Sequence, residues 1–500
     1  MSDTAIFLGK STKPEELFLG MANRHGLITG ATGTGKTVTL QILAESFCAA
    51  GVPVFAADVK GDLSGIAMKG EPKDWVTERA RLIGMKNFEF AATPTIFWDL
   101  FGRQGPPIRT TVTEMGPLML SRLMGLTEAQ EGALNIAFKI ADEEGLALLD
   151  LKDLRALLKD LADRGKKITT DYGNINDQTI GAIQRRLVVI EEQGGELFFG
   201  EPALDIKDFM RTTRDGRGYM NVLAADRLIS APQLYATFLL WLMSELFEQM
   251  PEVGDPDKPR LVFFFDEAHL LFEEAPPALI QKIEQTVKLI RSKGIGIYFV
   301  TQNPLDIPES VLAQMGNRVQ HALRAYTPRE QKAVQVAATT FRPNPKFSTE
   351  KAITELGKGE ALVSVLDLKG VPTVVERTFI RPPSGRSGTI TPEERARIMA
   401  ASPVFGTYDQ TIDRESAYEK LKARTAQQAD EVIAENSARV RAARTSRPAR
   451  PSVPPRERES ATDRFVKNMA GTVGRQLGTS IARSVGNALV RGILGGLTRR

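Results

Sequence analysis

The sequence predicts an α/β fold built around a mainly parallel β-sheet. An apolar strand, HGLITG (25–30), leads through a glycine-rich loop into a helical segment, KTVTLQILAESFCAAG (36–51), and then into a second apolar strand, VPVFAAD (52–58). Strand, helix and strand in this order form a parallel βαβ unit. Further apolar strands, separated by helical stretches, are predicted at 218–225, 260–266, 294–302 and 318–323.

The length and composition are those of a soluble globular protein with two or three structural units. The chain has 500 residues, 42% of them hydrophobic and 25% charged, whereas one domain typically takes ~100–200 residues. A single cysteine, Cys48, excludes an internal disulfide, and the three histidines (His25, His269 and His321) show no zinc-ligand spacing. We therefore expect a cytoplasmic protein.

No segment has the pattern of a signal peptide or a transmembrane helix. The strongest apolar run, FLLWLMSELF (238–247), is too short to cross a bilayer and contains Glu245, so it predicts a buried helix. The basic charge is concentrated at the end of the chain. Residues 441–500 carry 13 Arg and Lys against 3 Asp and Glu, which leaves residues 1–440 slightly acidic.

The remaining elements follow in chain order. Two short strands, 5–10 and 16–20, are expected to form an N-terminal flap, and strands 360–367 and 373–380 to form a hairpin around Lys369-Gly370. These patterns predict six segments: a first part of the core with the glycine loop (1–112), an all-α insertion (113–210), a second part of the core (211–385), a helical extension (386–444), a disordered Pro/Arg-rich linker (445–460) and an amphipathic basic helix (461–500).

The glycine-rich loop, GATGTGKT (30–37), matches the phosphate-binding pattern G-x-x-x-x-G-K-[ST] in its required strand–loop–helix context. Backbone N–H groups of such a loop surround the β-phosphate of a nucleotide, and the helix N-terminus favours negative charge there. Lys36 would bridge the β- and γ-phosphates, and the Thr37 hydroxyl would bind Mg²⁺. We expect ATP to contact Gly30, Ala31, Thr32, Gly33, Thr34, Gly35, Lys36, Thr37 and Thr39.

Two other strands end in residues suited to hydrolysis. LVFFFDEAH (261–269) predicts a central strand with an acidic pair at its carboxyl end, the edge where parallel sheets bind ligands. Asp266 would hold Mg²⁺, and Glu267 would orient and deprotonate the attacking water. GIGIYFVTQNP (294–304) ends in Gln302, which could hydrogen-bond both the γ-phosphate and that water. His269 is expected to be structural.

Together these motifs resemble the HerA/FtsK-type hexameric motor ATPases. The resemblance rests on GATGTGKT, DVKGDLSG (58–65), FFFDEAHLLF and IYFVTQNP and covers about residues 5–380. Within that superfamily the sequence is most similar to the bacterial HerA-like (YjgR-like) family, whose role is not established. The resemblance implies a RecA-like P-loop NTPase core with an additional strand between the Walker A and Walker B strands. It also implies a homohexamer with ATP between subunits.

A hexamer of this kind completes each site with an arginine from the neighbouring subunit. Arg24 corresponds to a trans-acting arginine of the HerA family, and Arg291 and Arg318 are further candidates. The sequence ahead of the loop is expected to be too short for the β-barrel through which HerA proteins dock a nuclease. We therefore do not extend the nuclease partner of HerA proteins to this chain.

Two functions stay open at this point. The resemblance favours an ATP-driven translocase or helicase on double-stranded DNA, for which Lys60 and Lys69 are conceivable pore residues. The alternative is a VirB4-like protein-handling or partner-gating ATPase, for which the insertion and the tail would be docking elements. The basic tail could also lie on a membrane surface, although its small residues favour contact with another subunit or a protein partner.

Overall fold

The computed structural model describes residues 4–165, 176–228, 231–272 and 277–445, without the side chains of 233, 278, 279 and 440–445. The chain divides into two units, Met1–Gln427 and Gln428–Arg500. Within the described ranges, eleven strands form one sheet. They are β1 Ala5–Lys10, β2 Pro14–Phe18, β3 Gly26–Thr29, β4 Val54–Asp58, β5 Thr95–Asp99, β6 Met220–Ala224, β7 Leu261–Phe265, β8 Ile295–Thr301, β9 Asn317–Gln320, β10 Glu360–Ser364 and β11 Glu376–Ile380.

The sheet combines a parallel part and an antiparallel part. Its order is β2-β1-β11-β10-β9-β3-β8-β7-β4-β6-β5. The seven strands from β9 to β5 run parallel, and β10, β11, β1 and β2 extend the sheet in antiparallel pairs. β8 lies between β3, which enters the glycine loop, and β7, which ends in the acidic pair. This is the predicted additional-strand arrangement of a RecA-like core, and the fold class is confirmed.

Helices connect and cover the strands. Those of the described ranges are α1 Lys36–Ala49, α2 Asp74–Leu82, α3 Val112–Met124, α4 Glu128–Glu144, α5 Leu151–Asp163, α6 Asp177–Glu192, α7 Gly195–Phe198, α8 Pro232–Gln249, α9 Pro277–Ile290, α10 Glu309–Leu312, α11 Pro328–Thr339, α12 Thr349–Glu355, α13 Pro392–Ala400 and α14 Ala417–Thr445. Local sequence fixes several of their ends. Capping boxes begin α3 at Thr111 and α4 at Thr127, and left-handed glycines follow both helices.

Alternating side chains of the central strands supply two hydrophobic clusters. Phe263 and Phe265 of β7 point into one cluster, and Val262 and Phe264 point into the other. The first cluster packs α3 to α6 and α8 against the sheet. The second packs α1 against the opposite face and includes side chains of β1 and β2. The helices at 113–210 therefore share a continuous core with the sheet, and we retain the division into segments as a proposal.

Several elements differ from their predictions. β5 is an edge strand that the sequence patterns do not predict. The strands β1 and β2 are part of the main sheet, because β1 pairs with β11, and do not form a separate flap. The hairpin of β10 and β11 is confirmed, as is the buried helix at 238–247 within α8. The predicted linker beyond Thr445 and the predicted tail helix (461–500) lie outside the described residues.

None of the helices in the described ranges combines the length and the apolar content needed to cross a bilayer.

Candidate nucleotide site

The glycine loop lies between the end of β3 and the start of α1, at the carboxyl edge of the parallel strands. Gly35 has a φ of 122° and stands immediately before the helix, a conformation that few residues other than glycine adopt. Gly30 allows close packing, because a Cβ atom at this position would lie 2.5 Å from the Cβ of His321. The glycine loop thus leads directly into the N-terminus of α1, where backbone N–H groups favour negative charge.

The Lys36 side chain is folded back onto this loop. Its ammonium donates hydrogen bonds to the carbonyl oxygens of Gly30, at 2.6 Å, and Ala31, at 3.3 Å. Burial lowers the pKa of Lys36, while the nearby Glu267 carboxylate opposes that effect. A largely buried ammonium with carbonyl partners is suited to exchange them for phosphate oxygens of a ligand.

The acidic pair follows β7 next to the loop. Glu267 has φ 48° and ψ 48°, a left-handed conformation that is uncommon for a residue other than glycine. Such conformations concentrate at functional sites. The Asp266 carboxylate accepts a hydrogen bond from the Glu267 backbone N–H at 3.0 Å. Burial and the neighbouring Glu267 charge raise the pKa of Asp266 to about 6.

Lys60 occupies a position that sequence patterns did not predict. Its ammonium forms an ion pair with Glu267, whereas the sequence suggested only a role in a pore. Burial is the largest single cause and raises the pKa of Glu267, but the hydrogen bond and charge of Lys60, together with the charges of His269 and Lys36, leave the pKa below its ordinary value. His269 is the second partner, with Nδ1 3.4 Å from the Glu267 carboxylate. Lys69 is exposed and lies apart from this pair.

Asp58 holds the loop that carries Lys60. Its carboxylate accepts hydrogen bonds from the backbone N–H groups of Gly61, at 2.8 Å, and Leu63, at 3.1 Å. β4 pairs with β7, so Asp58 and Asp266 follow neighbouring strands. Burial, with the charges of Asp62 and Asp266, raises the pKa of Asp58 to about 7. DVKGDLSG is therefore an integral part of the site.

Gln302 follows β8 and contacts the glycine loop at Thr32. The Thr32 hydroxyl donates a hydrogen bond to the Gln302 side-chain oxygen at 3.3 Å, and both residues line an open cleft of about 310 Å³. The site thus brings together the loop, the acidic pair and Gln302 from three adjacent strands. Thr37 follows Lys36 in the first turn of α1.

Thr39 lies behind the loop and does not face its opening. It is fully buried, and its hydroxyl lies 2.8 Å from Nε2 of His321. The other ring nitrogen of His321 contacts the Glu360 carbonyl oxygen at 2.9 Å. The structure therefore gives His321 a supporting position between β9, β10 and α1 that its sequence context did not reveal. His25, also buried, bonds only backbone groups, at Val287 and Ile297.

The candidate arginines occupy a different part of the molecule. Arg24 ends a short 3-10 helix (Leu19–Arg24) just before β3, at the opposite end of that strand from the glycine loop. Arg24 and Arg291 both contact Asp255, at 3.6 Å and 2.9 Å. Arg318 differs, because its guanidinium donates to the backbone carbonyls of Met315, Leu312 and Thr340 within the same chain.

Three solved structures are similar to the chain over most of its length. The unbound bacterial conjugative coupling protein TrwB shares 15% identity, with 77% of this chain and 92% of that chain covered and a TM-score of 0.47. VirB4 of Thermoanaerobacter pseudethanolicus shares 17% identity, with 78% and 98% covered and a TM-score of 0.49. TrwB in complex with ADP and Mg²⁺ gives 15% identity, 73% and 88% coverage and a TM-score of 0.44.

A search of curated protein sequences found no match. The family model described as "Helicase HerA-like C-terminal" matches residues 4–500. The chain therefore belongs to the helicase HerA-like C-terminal family.

Proposed function

We propose that the chain is a Mg²⁺-dependent ATPase that works as a ring-forming motor on double-stranded DNA. One observation carries the hydrolysis: a glycine loop with a buried lysine, an Asp-Glu pair and a glutamine meet at the ends of β3, β7 and β8. Phosphoryl transfer depends mainly on positioning and charge stabilisation, which these groups can supply.

The residues present fit ATP and Mg²⁺. Lys36 would leave the carbonyls of Gly30 and Ala31 for the β- and γ-phosphates, and the loop N–H groups would bind the phosphate oxygens. The Thr37 hydroxyl and the Asp266 carboxylate are hard oxygen ligands of the kind that Mg²⁺ prefers. When bound, Mg²⁺ neutralises charge on the phosphate oxygens.

Glu267 is the proposed base. Its carboxylate is nearly buried, and it is held in the ionised form by Lys60. An ionised carboxylate can orient a water molecule and accept its proton during attack on the γ-phosphate. Gln302, joined to the loop through Thr32, would sense whether that phosphate is present.

The position of Arg24 supports a site shared between subunits. β3 separates Arg24 from the glycine loop of its own chain, so a role for Arg24 in hydrolysis would have to be at the loop of a neighbouring subunit. An arginine supplied in this way stabilises the charge of the transition state. We therefore propose a homohexameric ring with Arg24 as the trans-acting residue, and Arg291 as the competing candidate.

Family membership is what supports DNA as the polymer that the ring moves. The test is the ATPase rate with and without duplex DNA across a salt series, with a polyanion such as polyglutamate as the control. Stimulation by duplex DNA that declines as salt rises is expected, because phosphate contacts release counterions. An equal rate with and without DNA at every salt concentration would contradict DNA translocation and favour the protein-handling alternative.

A further inference from the structure

A second cavity opens beside the glycine loop, on the side away from Gln302. Its volume is about 690 Å³, and it extends from the start of α1 to α2 and to the turn before β10. The residues that line it include Gly35, Val38, Trp75, Arg79, Lys358 and Gly359.

The positions of the two cavities indicate how the proposed nucleotide would be oriented along the glycine loop. Thr32 and Gln302 line the smaller cleft, so the γ-phosphate lies toward that side in the proposed site. Gly35 and Val38 flank the Lys36-Thr37 pair and line the larger cavity. A nucleotide whose phosphates follow the loop would therefore place its ribose and base in the larger cavity.

The lining suits an aromatic ligand. Trp75 and Leu82, both on α2, are large apolar side chains with 45% and 56% of their surface exposed. They are seven positions apart and therefore lie on one face of the helix. An exposed aromatic face offers a stacking surface for a nucleobase, because every base has a π-face.

The wall opposite α2 is the turn at Lys358 and Gly359. Hydrogen bonds hold this turn both to α2 and to the glycine loop. The Arg79 guanidinium donates hydrogen bonds to the carbonyls of Gly359, Lys358 and Ile380, the last two at 3.1 Å and 3.3 Å. The Gly359 N–H donates to the Thr34 carbonyl in the glycine loop at 3.0 Å. The wall is thus organised before any ligand arrives, which lowers the entropic cost of binding.

We propose that this cavity is the nucleobase subsite, in which a purine base stacks on Trp75 and the ribose passes Gly35 and Val38. The proposal rests on the proposed function, because it assumes that the phosphates occupy the glycine loop. A purine is specified because a two-ring base can cover the indole face, which a single ring covers only in part.

The tryptophans of the chain provide the measurement. The other two, Trp98 and Trp241, are 0% and 3% exposed, so Trp75 dominates the quenching of intrinsic fluorescence by acrylamide. ATP and ADP should protect Trp75 from quenching, whereas tripolyphosphate should not. A Trp75→Leu variant should bind ATP roughly tenfold more weakly, with unchanged affinity for tripolyphosphate. Phe405→Leu, an exposed aromatic residue outside the cavity, is the matched control.

Two results would overturn the subsite while leaving the ATPase in place. These are equal protection by ATP and tripolyphosphate, and unchanged ATP affinity in Trp75→Leu with normal hydrolysis. Failure of the full-length protein to bind either ATP or tripolyphosphate would instead contradict the proposed function, and the subsite with it.

Discussion

The Lys60 ammonium forms an ion pair with the Glu267 carboxylate and joins the loop after β4 to the acidic end of β7. The proposed base is therefore held by a cation in this structure. A carboxylate that accepts a hydrogen bond from an ammonium is less basic and therefore less able to take a proton from water. Release of this ion pair would be one way to link the ATP cycle to movement of the loop.

Replacement of Lys60 by methionine tests this relationship. We expect the basal turnover of ATP to rise several-fold, because Glu267 is no longer held by the ammonium, and the affinity for ATP to change little. Steady-state kinetics without DNA measure both quantities, and Lys69→Met, at an exposed lysine without a contact to Glu267, is the control. A loss of turnover in Lys60→Met would contradict this restraint and would indicate instead that Glu267 needs Lys60 to stay ionised.

Arg24→Ala tests the shared site. If Arg24 acts in trans, the variant should lose about 10³-fold in turnover, the lower end of what arginine fingers supply, and keep its oligomeric state. Arg318→Ala is not a suitable control, because its guanidinium holds three backbone carbonyls. Arg291→Ala is the comparison, since it removes the other partner of Asp255.

Mixing two inactive variants sharpens that test. Arg24→Ala retains Lys36, and Lys36→Ala retains Arg24, so a mixed ring contains some interfaces with both residues intact. The mixture should recover measurable ATPase activity that neither variant shows alone. Full activity of Arg24→Ala as a homo-oligomer would remove Arg24 from the mechanism.

The buried histidines predict a loss of stability in acid. Burial is the main cause that lowers the pKa of His25 and of His321 to about 4, against ~6.5 in the unfolded chain. Between pH 4 and pH ~6.5 the unfolded state binds more protons than the folded state. The stability that the two neutral histidines contribute is therefore complete above pH ~6.5 and is lost as the pH falls toward 4. Each histidine can contribute ~1.4 kcal/mol per pH unit.

His321→Gln isolates one of these contributions. The variant should be less stable than the parent at pH 7.5, because contacts with Thr39 and Glu360 are altered, but should lose less stability on acidification. Apparent Tm values at pH 7.5, 6.0 and 5.0 check this, and the gap between the two proteins should narrow at low pH. A gap that is constant with pH would contradict the assignment of a neutral, buried His321.

Local patterns were sufficient to predict the elements that form the proposed nucleotide site. The glycine loop with α1, the strand before Asp266 and the strand before Gln302 each have a signal within about fifteen residues. β5 escaped prediction because its five residues, TIFWD, contain only three consecutive apolar side chains, too few to show a helical or an alternating pattern.

Contacts between distant segments could not be predicted in the same way. Lys60 reaches Glu267 only because β4 lies beside β7 in the sheet, and His321 reaches the glycine loop only because β9 lies beside β3. The order of strands decides both contacts, and single-sequence periodicity does not report that order. The wall of the second cavity likewise depends on Arg79 meeting the turn at Lys358 and Gly359.

The most direct test of the central claim is the hydrolysis of ATP by Glu267→Gln. The substitution keeps the size of the side chain and the hydrogen-bonding oxygen but removes the proposed base. We predict that the variant binds Mg²⁺-ATP as tightly as the parent while turnover falls at least 10²-fold. Normal turnover in Glu267→Gln would contradict the account.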